Sequence, residues 1–399
     1  MKKKLAIVIL AIVLVSQIPF AFRRYRLSRL QTAIQRAAEQ RMPESVSEYR
    51  DYSGVIHVHT FLGGHSEGNF SELIAAAKAN LLDFVIMTEH PQPDFSTAAM
   101  TLNGTVAGVL FINGNEVVTA SGDRLLFIPG SDIANRANSE TTEELVAKQK
   151  TAGGLSIAAY PTESHGWQTS SVDGVEIYNL FTDARAANKL NLFFDGIWSY
   201  RSYADLMFAN FFTRPSDNLK LWDEQNSQGD RRLFAVAGND AHSNIGFTLT
   251  DAGGKPLLGM KLDPYQRSFQ VVRTHVIIPK DEPLSRESLL AALAHGHCYV
   301  SFDVFGNPKG FEFAVGTSGK IIGDEVAFQN GLELSVHVPL PSRIVLLRNG
   351  EPIAEKTGTR AEFSVTVRGA AYRVECYLDS LPTPARGKPW IVSNPIFVR

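Results

Sequence analysis

Cysteine is nearly absent from this chain of 399 residues, which contains only Cys298 and Cys376. A disulfide framework is therefore excluded, because such frameworks need several cysteine pairs. Neither cysteine has ligand-like neighbours at the spacing of a thiolate zinc site. We predict two buried thiols without a chemical role.

A surplus of charge is also missing, since 39 Lys and Arg stand against 41 Asp and Glu, for a formal net charge of −2. Without a basic surface field, no nucleic-acid partner is expected. A Gly-rich phosphate loop, a Ser-His-Asp order and a dinucleotide fingerprint are all lacking. The length and the 44% of hydrophobic residues suit one large catalytic domain and a smaller one.

The N-terminus carries the one long apolar run. Residues 5–22 contain only Ser16 and Gln17 as polar members, and lysines precede them while arginines follow. At about 1.5 Å per residue, this run nearly spans a bilayer core of about 30 Å. We predict an uncleaved signal anchor over residues 1–22, with a cleaved signal peptide as the alternative. Because large domains translocate readily behind such an anchor, we expect the body on the extracytoplasmic side, periplasmic or, after cleavage, secreted.

The composition and the pattern of apolar residues change along the chain and divide it into segments. Residues 23–50 are charged and helix-prone and predict a juxtamembrane stalk. Short β-type runs then alternate with helical stretches over 51–305, which predicts an α/β parallel barrel or sheet. Within it, 179–230 is an aromatic-rich helical insertion, interpreted as a pocket wall, a membrane-facing segment or ordinary core helices. Residues 306–399 alternate like strands and predict a small accessory β-sandwich.

Local signals support this division. Asn69 and Thr141 are predicted N-caps of helices over 72–80 and 143–150. Asn349-Gly350 lies between two apolar runs and predicts a tight hairpin turn.

Two histidines, His57 and His59, follow a short apolar run. On a strand, residues i and i+2 point to the same side, so both imidazoles could face one ion. The spacing alone is weak evidence for a metal site. His295 and His297 have the same spacing at the end of a helical stretch, with no acidic residues beside them. We interpret that second pair as structural.

The first pair gains weight from its companions. Later apolar runs end in ligand-type residues, and the carboxyl ends of parallel strands converge at a barrel mouth. These residues are Glu89 with His90, then Glu116, then Asp240 with His242. Taken alone, each residue could have a purely structural role: Glu116 could be a solvated loop acid, and Asp240 could be a helix cap. Together they predict a metal site at the mouth, and so an enzyme.

In order and wording, these segments resemble the PHP family, the polymerase and histidinol phosphatase superfamily. The matching segments are 57–60, 65–68, 82–90, 113–119 and 238–243, with a similar tail over 389–399. The resemblance implies a distorted seven-stranded β/α barrel, that is a (β/α)7 PHP-type barrel, with two or three divalent metals. The ligands it implies are His57, His59, His90, Glu116, Asp240 and His242, and a loop ligand that is His65 or, with less support, Glu67.

The chain departs from that family in two places. Where the family usually has His-Pro after a strand, this chain has Tyr160 and Pro161. Tyrosine is a poor ligand for most such metals, so one metal position is lost or altered, unless His165 substitutes for the missing histidine. Where relatives often have Gly-His, Arg124 follows Asp123; it is either a bidentate phosphate clamp or simply exposed.

Imidazoles and carboxylates without thiolates suit Zn²⁺, Mn²⁺ or Fe²⁺. Glu116 and Asp240 are the candidate bridging carboxylates of two metals, which would activate a water molecule. Asp240 and Arg124 are predicted to act in catalysis, and His65, His165 or His242 to protonate the leaving alkoxide.

The leading hypothesis is a membrane-anchored, metal-dependent phosphoesterase that cleaves a small-molecule phosphate ester by metal-activated water. The first alternative is a hydrolase of a non-phosphate bond on the same scaffold. The second alternative is a catalytically weakened binding or sensing protein.

Overall fold

The computed structural model describes residues 2–43, 47–229, 231–251, 253, 256–316 and 318–399. The α-helices are α1 (Lys2–Glu39), α2 (Phe70–Ala79), α3 (Thr97–Met100), α4 (Thr142–Thr151), α5 (Leu180–Ala186), α6 (Lys189–Tyr203), α7 (Ser216–Asn226), α8 (Tyr265–Val271) and α9 (Arg286–Ala294). Short 3-10 helices cover Phe61–Gly63, Asp132–Ser139, Gly166–Gln168, Ala204–Asn210 and Asp303–Phe305.

The first thirteen strands belong mainly to the α/β part of the chain. They are β1 (Tyr49–Val58), β2 (Phe84–Met87), β3 (Gly104–Val106), β4 (Val109–Ile112), β5 (Asn115–Val118), β6 (Arg124–Ile128), β7 (Leu155–Ala159), β8 (Gly174–Asn179), β9 (Phe234–Ala241), β10 (Gly246–Thr250), β11 (Pro256–Lys261), β12 (Arg273–Pro279) and β13 (Cys298–Ser301). The later strands are β14 (Glu312–Val315), β15 (Glu325–Val326), β16 (Glu333–Arg348), β17 (Glu351–Ser364), β18 (Ala370–Tyr377), β19 (Ile391–Ser393) and β20 (Ile396–Val398).

The strands up to β9 pair in a ring. β1 pairs in parallel with β2 and with β9, β2 pairs in parallel with β4, and the parallel series continues from β9 through β8 to β7. β6 is antiparallel to both β7 and β5. A parallel bridge between Glu89 and Asn115 joins β5 back to the end of β2 and closes the ring. The chain is therefore a mixed α/β protein in which the carboxyl ends of β1, β2, β8 and β9 lie at one rim.

Alternation along the strands separates two layers of core. Ile56 and Ile86 belong to one buried cluster together with Ile112, Leu126, Ile157 and Val236. Their neighbours Val55 and Val85 belong to another, which packs against α2 and α8 through Leu73 and Phe269. Each such buried aliphatic side chain contributes roughly 1.5–3 kcal/mol. α2 and α8 therefore cover this second layer, whereas α9 packs against the first through Leu289 and Leu293.

The C-terminal strands extend the same sheet. β12 is antiparallel to β1 and continues through β13 and β19 to β18, which pairs with β16 and β20. β16 and β17 form a hairpin in which Arg348 pairs with Glu351. Asn349 and Gly350 between them have φ of 49° and 85°, as the two central residues of a type I′ turn require. The hairpin turn predicted there is confirmed.

Other local predictions also hold. The Asn69 side chain accepts a hydrogen bond from the Glu72 amide at 3.0 Å and caps α2. Thr141 forms a capping box with Glu144 at the start of α4. Cys298 and Cys376 are free and buried, as predicted.

A charged triad around the buried His275 lies at the opposite end of β1 from the strand ends described above. His275 on β12 places Nδ1 2.7 Å from Asp51 Oδ1 and Nε2 3.2 Å from Asp303 Oδ1. Burial lowers the pKa of His275, but the two carboxylates outweigh it and raise the pKa from 6.5 to about 9. The ion pairs of the charged His275 imidazole with the two carboxylates therefore stabilise the folded state.

This triad predicts a loss of stability at alkaline pH. Folded His275 keeps its proton up to about pH 9, whereas the unfolded chain releases it near 6.5, so its contribution is fully present below pH 6.5 and is lost as the pH rises through 9. The loss amounts to roughly 3 kcal/mol. Urea unfolding of the wild-type chain in detergent at several pH values measures it. His275→Gln is expected to reduce the slope over this window, to which His57 and His59 also contribute, whereas His337→Gln, at a half-buried histidine bonded to the Gly310 carbonyl oxygen, is expected to keep it. An unchanged slope in His275→Gln would refute this account.

Candidate metal centre

Four buried side chains converge at the rim of the ring. His57 and His59 come from the end of β1, Glu116 from β5 and Asp240 from the end of β9. Glu116 Oε2 lies 3.2 Å from His57 Nε2 and 3.3 Å from His59 Nε2, and Asp240 Oδ1 lies 3.5 and 3.4 Å from the same two atoms. One ligand atom from each residue falls within 4.8 Å of the others. We call this group the four-residue cluster.

The backbone, rather than regular strand alternation, aims these side chains. His57 has a φ of 67° and interrupts the pairing of β1 with both neighbours, and Asp240 has a φ of 47°. Residues with a side chain rarely adopt this left-handed conformation, which costs on the order of 1–3 kcal/mol. The two imidazoles do face one point, as expected, but regular i, i+2 strand geometry is not the cause. Their Nε2 atoms meet because a bulge turns His57 toward Glu116.

The cluster leaves polar atoms unsatisfied. His57, His59, Glu116 and Asp240 are at most 2% exposed. Among the described residues, no hydrogen-bond partner is found for His57 Nε2, both ring nitrogens of His59, Glu116 Oε1 and Asp240 Oδ1. Because buried polar atoms are almost always paired, such a concentration needs a missing partner. Divalent cations fit this set of nitrogen and carboxylate donors.

The electrostatics of the cluster agree with that fit. Burial alone would lower the pKa of both histidines, but the surrounding carboxylates raise that of His57 well above its usual value and that of His59 to about 9. Burial would raise the pKa of Glu116 and Asp240, but the histidines hold both well below the usual range. The two carboxylates are thus ionised in a buried site, where a metal ion would replace the protons on the two imidazoles.

A second group of imidazoles lies on the open side of the cluster. His90 Nε2 is 3.2 Å from Glu116 Oε2, and the rings of His90 and His242 stack on His59 with centroids 4.7 and 4.4 Å away. Burial, followed by the charge on His59, lowers the pKa of His90 to about 3 and that of His242 to about 4. His59, His90 and His242 form a second set with ligand atoms in mutual reach.

The loop after β1 contributes one histidine. His65 Nε2 lies 3.0 Å from His242 Nε2, and the His65 ring lies 4.3 Å from that of His90. Of the two candidate loop ligands, the structure brings His65 to the histidine group and leaves Glu67 exposed. Ser66 holds the loop by donating to the His242 carbonyl oxygen at 2.5 Å.

Tyr160 occupies the position where a family histidine was expected. Its φ is 48°, and its hydroxyl donates a hydrogen bond to Asp240 Oδ2. Burial and then the Asp240 charge raise the pKa of this hydroxyl far above its usual value, so the hydroxyl stays protonated. The Tyr160 ring packs against the edge of the His57 ring with centroids 5.9 Å apart. The residue thus occupies one oxygen of a candidate bridging carboxylate.

Arg124 lies at the mouth of the site. Its guanidinium lies 4.9 Å from the centre of the Tyr160 ring, and Nη1 is 3.6 Å from Glu116 Oε1. The side chain is 40% exposed, so it combines contact with the cluster and access to solvent. His165, by contrast, is exposed and contacts Gln168 at 3.2 Å, and its described contacts do not reach the cluster.

Sequence reasoning missed Glu176. This fully buried carboxylate on β8 places Oε2 2.5 Å from His57 Nδ1, while Asn179 donates to its Oε1 at 2.7 Å. A Cβ added at Gly238 on the neighbouring strand would lie 2.1 Å from Glu176 Oε2, so that glycine makes room for the carboxylate. The available signal was a lone acidic residue inside an otherwise apolar strand.

The other candidates are accounted for by ordinary contacts. Glu89 accepts hydrogen bonds from the Thr60 amide at 2.9 Å and hydroxyl at 2.6 Å. His295 bonds the Ala291 carbonyl oxygen at 2.7 Å, and His297 pairs with Asp324 at 3.2 Å. The second His-x-His pair has structural partners, as predicted.

No protein-family model and no curated protein matches the chain. Among solved structures, it is similar to a two-domain protein from Bacteroides vulgatus containing a predicted PHP-like metal-dependent phosphoesterase. The identity is 13% and the TM-score 0.40, over 88% of this chain and 98% of that one. A PHP-like protein is thus among the structural neighbours.

Two other solved structures are similar over 61% of this chain. PsfC from Pseudomonas syringae is 14% identical, with a TM-score of 0.35 over 89% of its length. Endonuclease Q, solved with a 27-mer duplex that has an abasic lesion at the active site, is 14% identical, with a TM-score of 0.34 over 56% of its length. What the chain itself presents is a buried His/Glu/Asp cluster that fits a metal-dependent hydrolase.

Proposed function

We propose that this chain is a metal-dependent phosphoesterase of the PHP type. The observation that carries the proposal is the four-residue cluster, with its unpaired buried atoms at the rim where parallel strands end. In this proposal, the strand ring over 51–305 is a distorted (β/α)7 barrel and 306–399 is an accessory β-sandwich.

The ligands of the proposed centre fall into two overlapping sets. His57, His59, Glu116 and Asp240 would hold one divalent ion, and His90 and His242, with His65 beside them, would hold a second near His59. The donor types suit Zn²⁺, Mn²⁺ or Fe²⁺. When bound, such ions lower the pKa of a water molecule toward neutrality and neutralise charge on a phosphate group.

The remaining residues have distinct tasks. Arg124, exposed at the mouth, would bind a phosphate oxygen of the substrate through its guanidinium. The exposed His65, whose Nε2 lies 3.0 Å from His242 Nε2, would deliver a proton to the leaving oxygen. Glu176 would orient His57 by accepting from its Nδ1.

The Glu176 contact predicts a loss of metal affinity. Glu176→Gln keeps the size of the side chain but removes the charge that faces His57 Nδ1, so metal affinity is expected to fall roughly 10–100-fold. Titration with Zn²⁺ or Mn²⁺ in competition with a chelator measures it. Glu333→Gln, at an exposed residue on β16, is the matched control and is expected to bind as the wild type does. If Glu176→Gln binds metal with wild-type affinity, Glu176 does not position His57 for metal binding.

α1 is long and apolar enough to cross a membrane. We propose that residues 1–22 anchor the protein and that the remainder lies on the extracytoplasmic side. Cysteine-accessibility labelling from either side of intact cells tests this orientation. Labelling of an exposed position such as Lys220→Cys only after cell lysis would contradict it.

One observation favours a second function. Tyr160 bonds Asp240 Oδ2 where a metal-binding histidine was expected, so a weakened site in a binding or sensing protein is the alternative. Phosphate release by the metal-loaded full-length chain, on phosphomonoesters, phosphodiesters and an abasic DNA duplex, separates the two. Turnover of any ester supports the enzyme, and bound metal without turnover on the whole panel supports the alternative.

A further inference from the structure

Helix α6 exposes an apolar stripe. Leu190, Phe193 and Ile197 are 62%, 46% and 56% exposed, and their spacing places them on one face of the helix. Exposed Lys189 and Arg201 stand at the two ends of this face. Helices that lie in a membrane interface carry such an apolar face beside basic residues. The stripe is therefore defined as Leu190, Phe193 and Ile197.

The side of α6 next to the stripe packs on α1 at the end of the apolar run. The rings of Phe194 and Phe20 stack with centroids 4.4 Å apart, and Trp198 Nε1 donates to Gln17 Oε1 at 3.0 Å. One turn further along α1, Arg24 donates to Ser202 Oγ at 3.1 Å. If residues 1–22 are a membrane anchor, these contacts place α6 at the depth where the anchor leaves the bilayer.

The other flank of α1 carries residues typical of the same depth. A cavity of about 460 Å³ is lined by Phe22, Tyr25, Arg26, Arg29 and Arg386, among others. Phe22 and Tyr25 are more than half exposed. In the part of the chain that the structure describes, no ion pair involves these three arginines. Aromatic rings and arginines next to an apolar span are the usual anchors at a membrane–water interface.

We propose that the α6 stripe is a second membrane contact, seated in the lipid interface beside the anchor. The proposal rests on the anchor proposed above and adds a surface that belongs to the folded body. Because the second half of α1 packs into the body, a second contact would limit the tilt and rotation of the whole protein in the bilayer. The occupant of the stripe is the bilayer itself rather than another protein.

Site-directed spin labelling of the full-length chain tests this contact. Phe193→Cys and Ile197→Cys are labelled separately in nanodiscs of phosphatidylcholine and phosphatidylglycerol, with the unlabelled background low because both native cysteines are buried. Lys220→Cys, at an exposed position on α7, reports a position in water, and Leu14→Cys reports the anchor. Collision rates with oxygen and with a water-soluble nickel chelate give the depth of each label.

Both α6 labels are expected to collide more often with oxygen than with the nickel chelate, as the Leu14 label does. The Lys220 label is expected to collide more often with the nickel chelate. If both α6 labels collide mainly with nickel while the Leu14 label collides mainly with oxygen, the α6 contact is overturned and the anchor is retained. Water-like values at Leu14 as well would overturn the anchor and the contact together. Protection from both reagents with spin–spin broadening would assign the stripe to a second copy of the chain and also overturn it. Phosphate release is measured on the same discs, so failure of the proposed chemistry is recorded separately.

Discussion

Replacement of His59 by alanine is expected to abolish most of the activity of the metal-loaded chain. His59 belongs to both sets of candidate ligands, contacts Glu116 and Asp240 through one nitrogen, and stacks against His90 and His242. Its loss should therefore weaken both metal positions. Metal ions contribute several kcal/mol to transition-state stabilisation, which corresponds to a fall in kcat/KM of roughly 10²–10⁴-fold. Steady-state kinetics on the best ester of the panel, with metal content measured in parallel, give the result.

The chain offers its own control for this experiment. His295→Ala removes a histidine of the same His-x-His spacing that is exposed and bonded to the Ala291 carbonyl oxygen. We expect its activity and metal content to match the wild type. Equal losses in His59→Ala and His295→Ala would show a general effect on folding, and full activity in His59→Ala would exclude the site.

Replacement of Tyr160 by histidine is expected to increase both metal content and activity. The tyrosine hydroxyl now occupies Asp240 Oδ2, and its side chain lies beside His57. An imidazole in that place would supply a further ligand and release the carboxylate oxygen. An added ion that neutralises phosphate charge should raise kcat/KM roughly 10–100-fold.

The control for this gain is Tyr160→Phe. It frees the same oxygen of Asp240 without supplying a ligand, so it is expected to leave the number of bound ions unchanged. A gain in Tyr160→Phe equal to that in Tyr160→His would assign the effect to the freed carboxylate alone. No gain in Tyr160→His would mean that the departure from the family pattern does not limit the site.

Several features of the site follow from sequence because they depend on local pattern. A polar residue after an apolar strand lies at the strand end, and parallel strands bring their carboxyl ends together, so Asp240 and the histidines could be grouped in advance. Glu116 was grouped with them, although it lies within β5 rather than at a strand end. The helix cap at Thr141 and the turn at Asn349-Gly350 likewise depend on a few adjacent residues.

Other features depend on pairings that are distant in sequence. Glu176 reaches His57 because β8 lies beside β9 and β9 beside β1, and nothing near Glu176 in the chain indicates this order. The positive φ of His57, Tyr160 and Asp240 is imposed by the surrounding sheet, against the preference of the residues themselves. The continuation of the ring into the C-terminal strands through β12 was not evident from either segment alone.

The N-terminal helix shows the same distinction. Its apolar run was clear from composition, whereas the burial of Leu27 and Leu30 in the core depends on the folded body. The predicted anchor and the first part of the predicted stalk thus form one continuous helix, α1, whose second half packs into the protein. The helical stalk predicted over 23–50 is too long, because α1 ends at Glu39 and β1 begins at Tyr49.

The central claim is that the cluster at the strand ends is a metal centre, and metal content tests it most directly. The full-length chain is purified, reconstituted with Zn²⁺, Mn²⁺ or Fe²⁺, dialysed and analysed for metal by mass spectrometry beside His59→Ala and His295→Ala. The account predicts two or more ions per chain in the wild type and in His295→Ala, and a loss of at least one in His59→Ala. A wild-type chain that remains folded and retains no ion after reconstitution with each of these metals would contradict it.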